Sequence, residues 1–281
     1  MTLISTKALL AEARAERRAV AAFNVITLEH AEGIVAGAER AGRPVILQIS
    51  ENAVKFHAGR VLPIALASRA IAEAAGVPVS LHLDHVEDGE LLHQAADAGF
   101  SSVMFDASHA SYAENVVLTK RSAEWAHAHG LLIEAELGQV GGKDGVHLGA
   151  HEPGARTDPD EARAYVEATG VDALAVAVGS SHAMTERTAG LDFALIERLR
   201  DAVPVPLVLH GSSGVPDDTL TKGVRAGIVK VNIGTALNIA YTGAVRSFMA
   251  AVERTVAPRK YLKPARTALA ETVAQLIGVV S

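Results

Sequence analysis

Short apolar runs alternate along this chain with stretches in which apolar side chains recur every three or four positions. The first kind of spacing suits buried strands and the second amphipathic helices. Ser5 or Thr6 can cap a first helix carrying Leu9, Leu10 and Ala13 on one face. Val20 to Asn24 reads as a strand, Leu28 to Ala41 as a helix closed by Gly42 and Pro44, and Val45 to Ile49 as a strand ending at Ser50. A helix from Leu62 to Ala75 stops at Gly76 and Pro78, and the strand after it ends in Leu81-His82-Leu83-Asp84-His85. A helix over Glu90 to Ala98 and a strand over Ser102 to Phe105, ending at Asp106, come next. A long helix from Ala113 to His129 leads to a strand over Leu131 to Glu136. The remaining pairs are a helix over Asp160 to Thr169 with a strand over Val171 to Val178, and a helix over Leu191 to Ala202 with a strand over Pro206 to Leu209. A helix over Asp217 to Ala226 follows with a strand over Ile228 to Ile233, and two helices finish the chain, Ala236 to Arg254 and Pro264 to Ile277.

This order predicts an α/β fold: a (β/α)8 barrel, a TIM barrel, as one domain over residues 1–281 with extra helices at both ends. Near-continuous apolar strands suit a parallel sheet covered on its faces. A doubly wound sheet is the competitor, weakened by the lack of a GxGxxG segment after the first strand. Residues 138–159 carry six glycines and little periodicity, and read as a mobile active-site loop. Residues 258–281 read as a C-terminal helical extension.

Composition narrows the chemistry. The 281 residues are 49% hydrophobic and 21% charged, enough for one barrel of about 250 residues. A formal net charge of -6 gives no reason to expect nucleic acid or an anionic membrane as a partner. No apolar run reaches the roughly 18 residues of a spanning helix, and residues 1–18 lack a signal-peptide core, so a cytoplasmic location is the default. There is no cysteine, which excludes disulfides, thiolate catalysis and iron–sulfur clusters. A transition metal must be held by His, Asp or Glu.

The carboxyl ends of the strands are where a barrel of this type places its active site. Here they carry Asn24, Ser50, Asp84 with His85, Asp106, Glu136, His182, His210 and Asn232, all polar after apolar runs. Three imidazoles from different strands suit a catalytic zinc with one open position, so His85, His182 and His210 are the candidate ligands. Strand alternation turns Asp84 to the opposite side from His85, which makes it a proton-transfer group rather than a ligand. Asp106 and Glu136 can orient imidazoles or lend the metal a carboxylate, and Asp106 can also cap a helix. His82 is a candidate for support behind the ligands, while His30, His57, His93, His127 and His129 fall on helical or loop stretches. His109 is a rim candidate, and His147 and His151 lie in the loop. Gly179-Ser180-Ser181, Gly211-Ser212-Ser213-Gly214 and Asn232-Ile233-Gly234-Thr235 each follow a late strand and precede a helix, the usual place for a phosphate.

In this order the residues resemble the class II, zinc-dependent fructose-bisphosphate and tagatose-bisphosphate aldolases. The likeness rests on Ala22-Phe23-Asn24, Leu81 to His85, Ser102 to Asp106, Glu134 to Gly138 with Gly141-Gly142, Leu209 to Gly214 and Lys230 to Ile233. It implies a lyase that cleaves a ketose 1,6-bisphosphate to dihydroxyacetone phosphate and an aldehyde such as glyceraldehyde 3-phosphate. It further implies a homodimer or homotetramer. By motif, His85, His182 and His210 resemble the zinc ligands, Asp84 the acid/base, and Asp144 the loop acid that protonates C3. Asn24 would contact substrate, and Gly211, Ser213, Asn232 and Thr235 would hold the dihydroxyacetone phosphate end. Ser50, or Arg259 from a neighbouring subunit, would meet the second phosphate. Backbone carbonyls around His182 and Gly211 would hold a monovalent cation, Na+ or K+. The chain departs from the family at Ala183, where Gly is usual, at Met184, at Gly234 and at Asp144, which places it nearer the shorter tagatose-like branch. A zinc barrel hydrolase and a silent sugar-phosphate-binding subunit are the alternatives. A Schiff-base aldolase fits worse, because the sixth strand has no lysine and Lys230 leaves the histidines unexplained.

Overall fold

The computed structural model describes residues 2–138 and 156–281. Eight strands pair in parallel, in sequence order, and close on themselves through β1 and β8. The first helix, α1 (Thr6–Ala15), starts where the Ser5 side chain accepts from the Ala8 amide. Its Leu9, Leu10 and Ala13 do not join the outer core. They pack with Val20, Ala22, Ile46, Met104, Leu132 and Ala175, which point into the barrel, so α1 plugs its amino end.

Strand β1 (Val20–Asn24), helix α2 (Leu28–Ala41) and strand β2 (Val45–Ser50) follow the expected pattern. A short helix that periodicity had not revealed, α3 (Glu51–Phe56), comes next. Its signal was Ser50, whose hydroxyl accepts from the Ala53 amide 3.2 Å away and so starts a helix at the strand end. Then come α4 (Val61–Ala74), β3 (Val79–Val86) and α5 (Gly89–Leu92). The helix expected over Glu90 to Ala98 is thus only one turn long. Gln94 and Ala95 bond three residues back, to Leu91 and Leu92, instead of four, and Gly99 closes the tightened turns at φ 84°.

The middle of the chain runs β4 (Ser102–Phe105), α6 (Tyr112–Ala128), β5 (Leu132–Leu137), α7 (Pro159–Thr169), β6 (Ala173–Val176) and α8 (Phe193–Ala202). Strand β6 ends earlier than expected, so His182 sits on the loop beyond it. The end of the chain is β7 (Leu207–Leu209), α9 (Asp217–Ala226), β8 (Ile228–Ile233), α10 (Thr235–Ala251) and α11 (Pro258–Val280). The last helix starts at Pro258, not Pro264. Pro258 occupies the first turn, where a missing N–H costs nothing, and Pro264 is carried inside the helix. Packing overrides the proline: Ala265, Leu269, Val273, Leu276 and Ile277 are all buried. Gly37 of α2 makes this possible, since a Cβ there would sit 2.6 Å from both the Ala270 carbonyl and Val273. Among the described residues no helix is long and apolar enough to cross a membrane.

Candidate active site

Side chains from β1, β2, β3 and β8, and from the loops after β6 and β7, meet at the carboxyl end of the barrel. They line a cavity of about 400 Å³ with Asn24, Gln48, Ser50, Asp84, His85, His182, His210, Gly211, Ser213, Asn232 and Thr235 among its walls. Eleven residues that include nearly all the strand-end candidates therefore share one space.

The site departs from simple strand alternation at one point, and the departure matters. His85 should face away from Asp84, yet both line the cavity. His85 adopts φ 49°, and the β3–β4 pairing shifts register between Leu83 and Val86. A non-glycine residue in this region costs about 1 kcal/mol, and here it swings the imidazole round to the same side as the carboxylate. The expectation that Asp84 lies across the strand is corrected accordingly.

One nitrogen from each of His85, His182 and His210 falls within 4.8 Å of the others. The arrangement around two of them selects the nitrogen. His85 Nδ1 lies 2.8 Å from Asp106 Oδ2, which leaves Nε2 toward the centre. His210 Nε2 lies 2.9 Å from Glu134 Oε1, and its Nδ1 lies 2.9 Å from His85 Nε2. Two imidazole nitrogens that point at one another, with a third close by, form the donor set of a zinc site with an open position. The residues present therefore fit a metal. Asp106 also accepts from the Ser108 amide and hydroxyl and does not cap α6, where Ser111 does. Glu136 is buried near the end of β5 but is not one of the three converging groups.

Asp84 is buried, and the Asn232 amide donates to its Oδ1 across 3.3 Å. Burial alone would raise the carboxyl. The His85 imidazole, helped by His210 and Lys230, outweighs it and holds Asp84 well below the usual carboxylate range. It is therefore ionised at neutral pH and able to accept a proton. Asn232 Nδ2 is also 3.1 Å from His210 Nε2, but that nitrogen must donate to Glu134, so the amide serves Asp84. Asn232 Oδ1 is buried with no hydrogen-bond partner among the described residues, which leaves it for a ligand. Asn24 is oriented by Gln48, whose amide donates to it across 2.8 Å.

The opposite wall is built of backbone. Gly211 takes φ 65°, and a Cβ there would meet the Ser181 backbone at 2.5 Å. Ser180 Oγ donates to the His210 carbonyl at 2.6 Å, fastening the β6 and β7 loops together. Ser213 Oγ accepts from the Ala236 amide at the start of α10, beside Thr235. A helix of 17 residues thus opens onto the cavity with its N–H groups, the usual seat of an anion. Ala183 carries φ 57°, in the region that favours glycine. Ala183→Gly is expected to leave stability unchanged or raise it by up to about 1 kcal/mol. Ala70→Gly, on the exposed face of α4, should instead cost about 1 kcal/mol. Urea midpoints compare the two.

Burial, and next the Lys230 charge, hold His82 below 6.5; burial, and next His85, do the same to His210. A lowered folded value means that the unfolded chain takes up protons first, so stability falls as pH drops below about 6.5. Glu134 adds a second loss. Burial would raise it, but Lys230 outweighs burial and brings it down to about 2, so its contribution disappears between about pH 4.5 and 2. Thermal melts of metal-free protein from pH 7.5 downward should show the first decline; a flat profile to pH 5 would contradict it.

Two candidates remain. Asp144, with Gly141, Gly142, His147 and His151, falls outside the described residues. Arg259 lines a groove with Lys260, Lys263 and Arg266 and is not in the cavity wall of its own chain. The sequence reading missed Gln48 as a wall residue and Glu134 as a partner of His210. Gln48 was hidden because it sits mid-strand among apolar neighbours, where alternation alone marks it as inward.

The family model for class II fructose-bisphosphate aldolase matches residues 4–281. A fructose-bisphosphate aldolase of Geobacillus stearothermophilus is 40% identical over 274 residues, covering 97% of this chain and 95% of that protein. The crystal structure of the YdjI aldolase from Escherichia coli K12 superposes with a TM-score of 0.85 at 33% identity, covering 99% of this chain and 97% of that one. The fructose-bisphosphate aldolase of Campylobacter jejuni, at 23% identity and a TM-score of 0.82, shares the fold over 99% of this chain and 95% of its own. A closed eight-strand barrel, three converging imidazoles beside an ionised aspartate, and a match along nearly the whole chain lead to one conclusion: the chain belongs to the class II fructose-bisphosphate aldolase family, lyases that act by aldol cleavage.

Proposed function

We propose that the enzyme cleaves a ketose 1,6-bisphosphate, of the fructose or tagatose type, reversibly to dihydroxyacetone phosphate and an aldehyde such as glyceraldehyde 3-phosphate. The observation that carries this reading is the placement of Asp84 against the three-imidazole cluster in one cavity. His85 through Nε2, His210 through Nδ1 and His182 would hold zinc. Zinc, when bound, supplies Lewis-acid polarisation of the ketose oxygens. Asp84 takes the proton of the C4 hydroxyl as the C3–C4 bond breaks and its electrons pass to the ene-diolate. Asn232 holds Asp84 in place and offers Oδ1 to a substrate hydroxyl. Gly211, Ser213 and Thr235 hold the phosphate of the dihydroxyacetone end at the α10 terminus. Asn24 contacts the substrate, and Asp144 returns a proton to C3.

Ser50 also lines the cavity, and it, or Arg259 of a neighbouring copy, would meet the second phosphate. A homo-oligomer is supported by α10, which buries only Leu237 while exposing Ile239 and Met249. A monovalent cation, Na+ or K+, would sit among the carbonyls near His182 and Gly211. The decisive assay uses purified protein with zinc, and with a chelator, on fructose 1,6- and tagatose 1,6-bisphosphate. Zinc-dependent release of dihydroxyacetone phosphate is expected. Release of inorganic phosphate without carbon–carbon cleavage would favour a hydrolase.

A further inference from the structure

Lys230 of β8 is fully buried and does not line the active-site cavity, so it cannot reach substrate. Its Nζ lies 2.6 Å from Glu134 Oε2 and 3.2 Å from His82 Nε2. The other oxygen of Glu134 meets His210 Nε2 at 2.9 Å. His82 Nδ1 lies 2.7 Å from Ser102 Oγ, which donates to Thr6 Oγ1 at 2.7 Å. Every one of these groups comes from a different part of the chain, and the mechanism uses only His210.

The hydrogen-bond inventory fixes the direction of each contact. An ammonium only donates, so both Lys230 contacts run outward. His82 Nε2 must then accept, and its ring hydrogen lies on Nδ1, toward Ser102. Glu134 receives Lys230 on one oxygen and His210 Nε2–H on the other. A neutral imidazole has one donor nitrogen and one acceptor nitrogen. With Nε2 donating, the lone pair of His210 lies at Nδ1, the nitrogen that faces His85. Freed of Lys230, the second oxygen of Glu134 would lose its 2.6 Å contact, with the His82 ring 3.9 Å away and beyond hydrogen-bond reach, and a buried carboxylate without its cation is strongly disfavoured.

We propose that Lys230 is a positioning residue for the metal centre: through Glu134 it holds His210 in the tautomer and orientation that present Nδ1 as a ligand. The proposal rests on the reading of the three imidazoles as a zinc site. Lys230 also occupies the His82 lone pair, which removes His82 as a proton relay to Asp84; the 3.6 Å between His82 Nε2 and Asp84 Oδ1 agrees with this.

The test is metal binding by the full-length, metal-stripped protein. Zinc affinity is read by competition with a chelating indicator, and the ligand field from the visible spectrum of the cobalt(II) form. Wild-type protein that binds neither metal would overturn the zinc reading itself. Given wild-type binding, Lys230→Met should weaken zinc binding about 10- to 100-fold and alter the cobalt bands. Glu134→Gln should weaken it as well, and the double variant should bind no worse than Glu134→Gln alone, since Lys230 acts through Glu134. A merely structural ion pair predicts a lowered melting temperature with unchanged affinity and spectrum, and that result overturns the proposal. Should Lys230→Met fail to fold, ¹⁵N NMR of the wild-type metal-free protein decides: the Nε2–H tautomer of His210 is expected, and an Nδ1–H tautomer overturns it.

Discussion

Asp84→Ala is expected to abolish most carbon–carbon cleavage while leaving the zinc in place. Removing a positioned general base typically lowers turnover about 10²- to 10⁴-fold, and the effect should fall on kcat. The three imidazoles are untouched by this change, so metal content should stay at the wild-type level. Fold stability should fall as well, because the surroundings that hold Asp84 ionised, and the Asn232 amide 3.3 Å away, favour its charged form in the folded state. Steady-state kinetics with a bisphosphate substrate and metal analysis of the same sample give the answer. Activity within a factor of ten of wild type would remove Asp84 from the role of base.

The second large effect is at His210. His210→Ala should lose both zinc and activity, on the order of a 10³-fold drop at limiting metal, since several kcal/mol of Lewis-acid stabilisation go with the ion. It should also destabilise the fold. His210 is fully buried and partners Glu134, which would be left with Lys230 alone; a buried group deprived of a partner costs about 1–3 kcal/mol. His182→Ala makes the contrast. His182 is partly exposed on the loop after β6, so its loss should remove metal with little change in melting temperature. Equal melting temperatures for the two variants would contradict the supporting role assigned to Glu134.

Much of this architecture was legible in the sequence. Apolar strand runs and amphipathic helices follow from local spacing, and eight such pairs admit few packings. Barrel strands also end at one face, so polar residues at the strand ends collect there whatever the loops do. Hence Asp84, His85, His210 and Asn232 could be grouped before any contact was known. Helix boundaries were less legible where tertiary packing prevailed over local signals. Pro264 reads as a start but lies inside α11, whose buried residues from Ala265 onward pack against α2.

What the sequence by itself determined was the barrel, the face that carries the chemistry and the residue types available there, because hydrophobic periodicity and strand direction are properties of neighbouring residues. Only the tertiary structure decided that Asp84 and His85 share one side. That depends on φ 49° at His85 and on a register shift against β4, which no spacing rule encodes. Only the tertiary structure brought Lys230, Glu134 and His82 together from three strands across the barrel interior. Their pairing is a matter of distance and of which atoms can donate, and those quantities exist only once the sheet has closed.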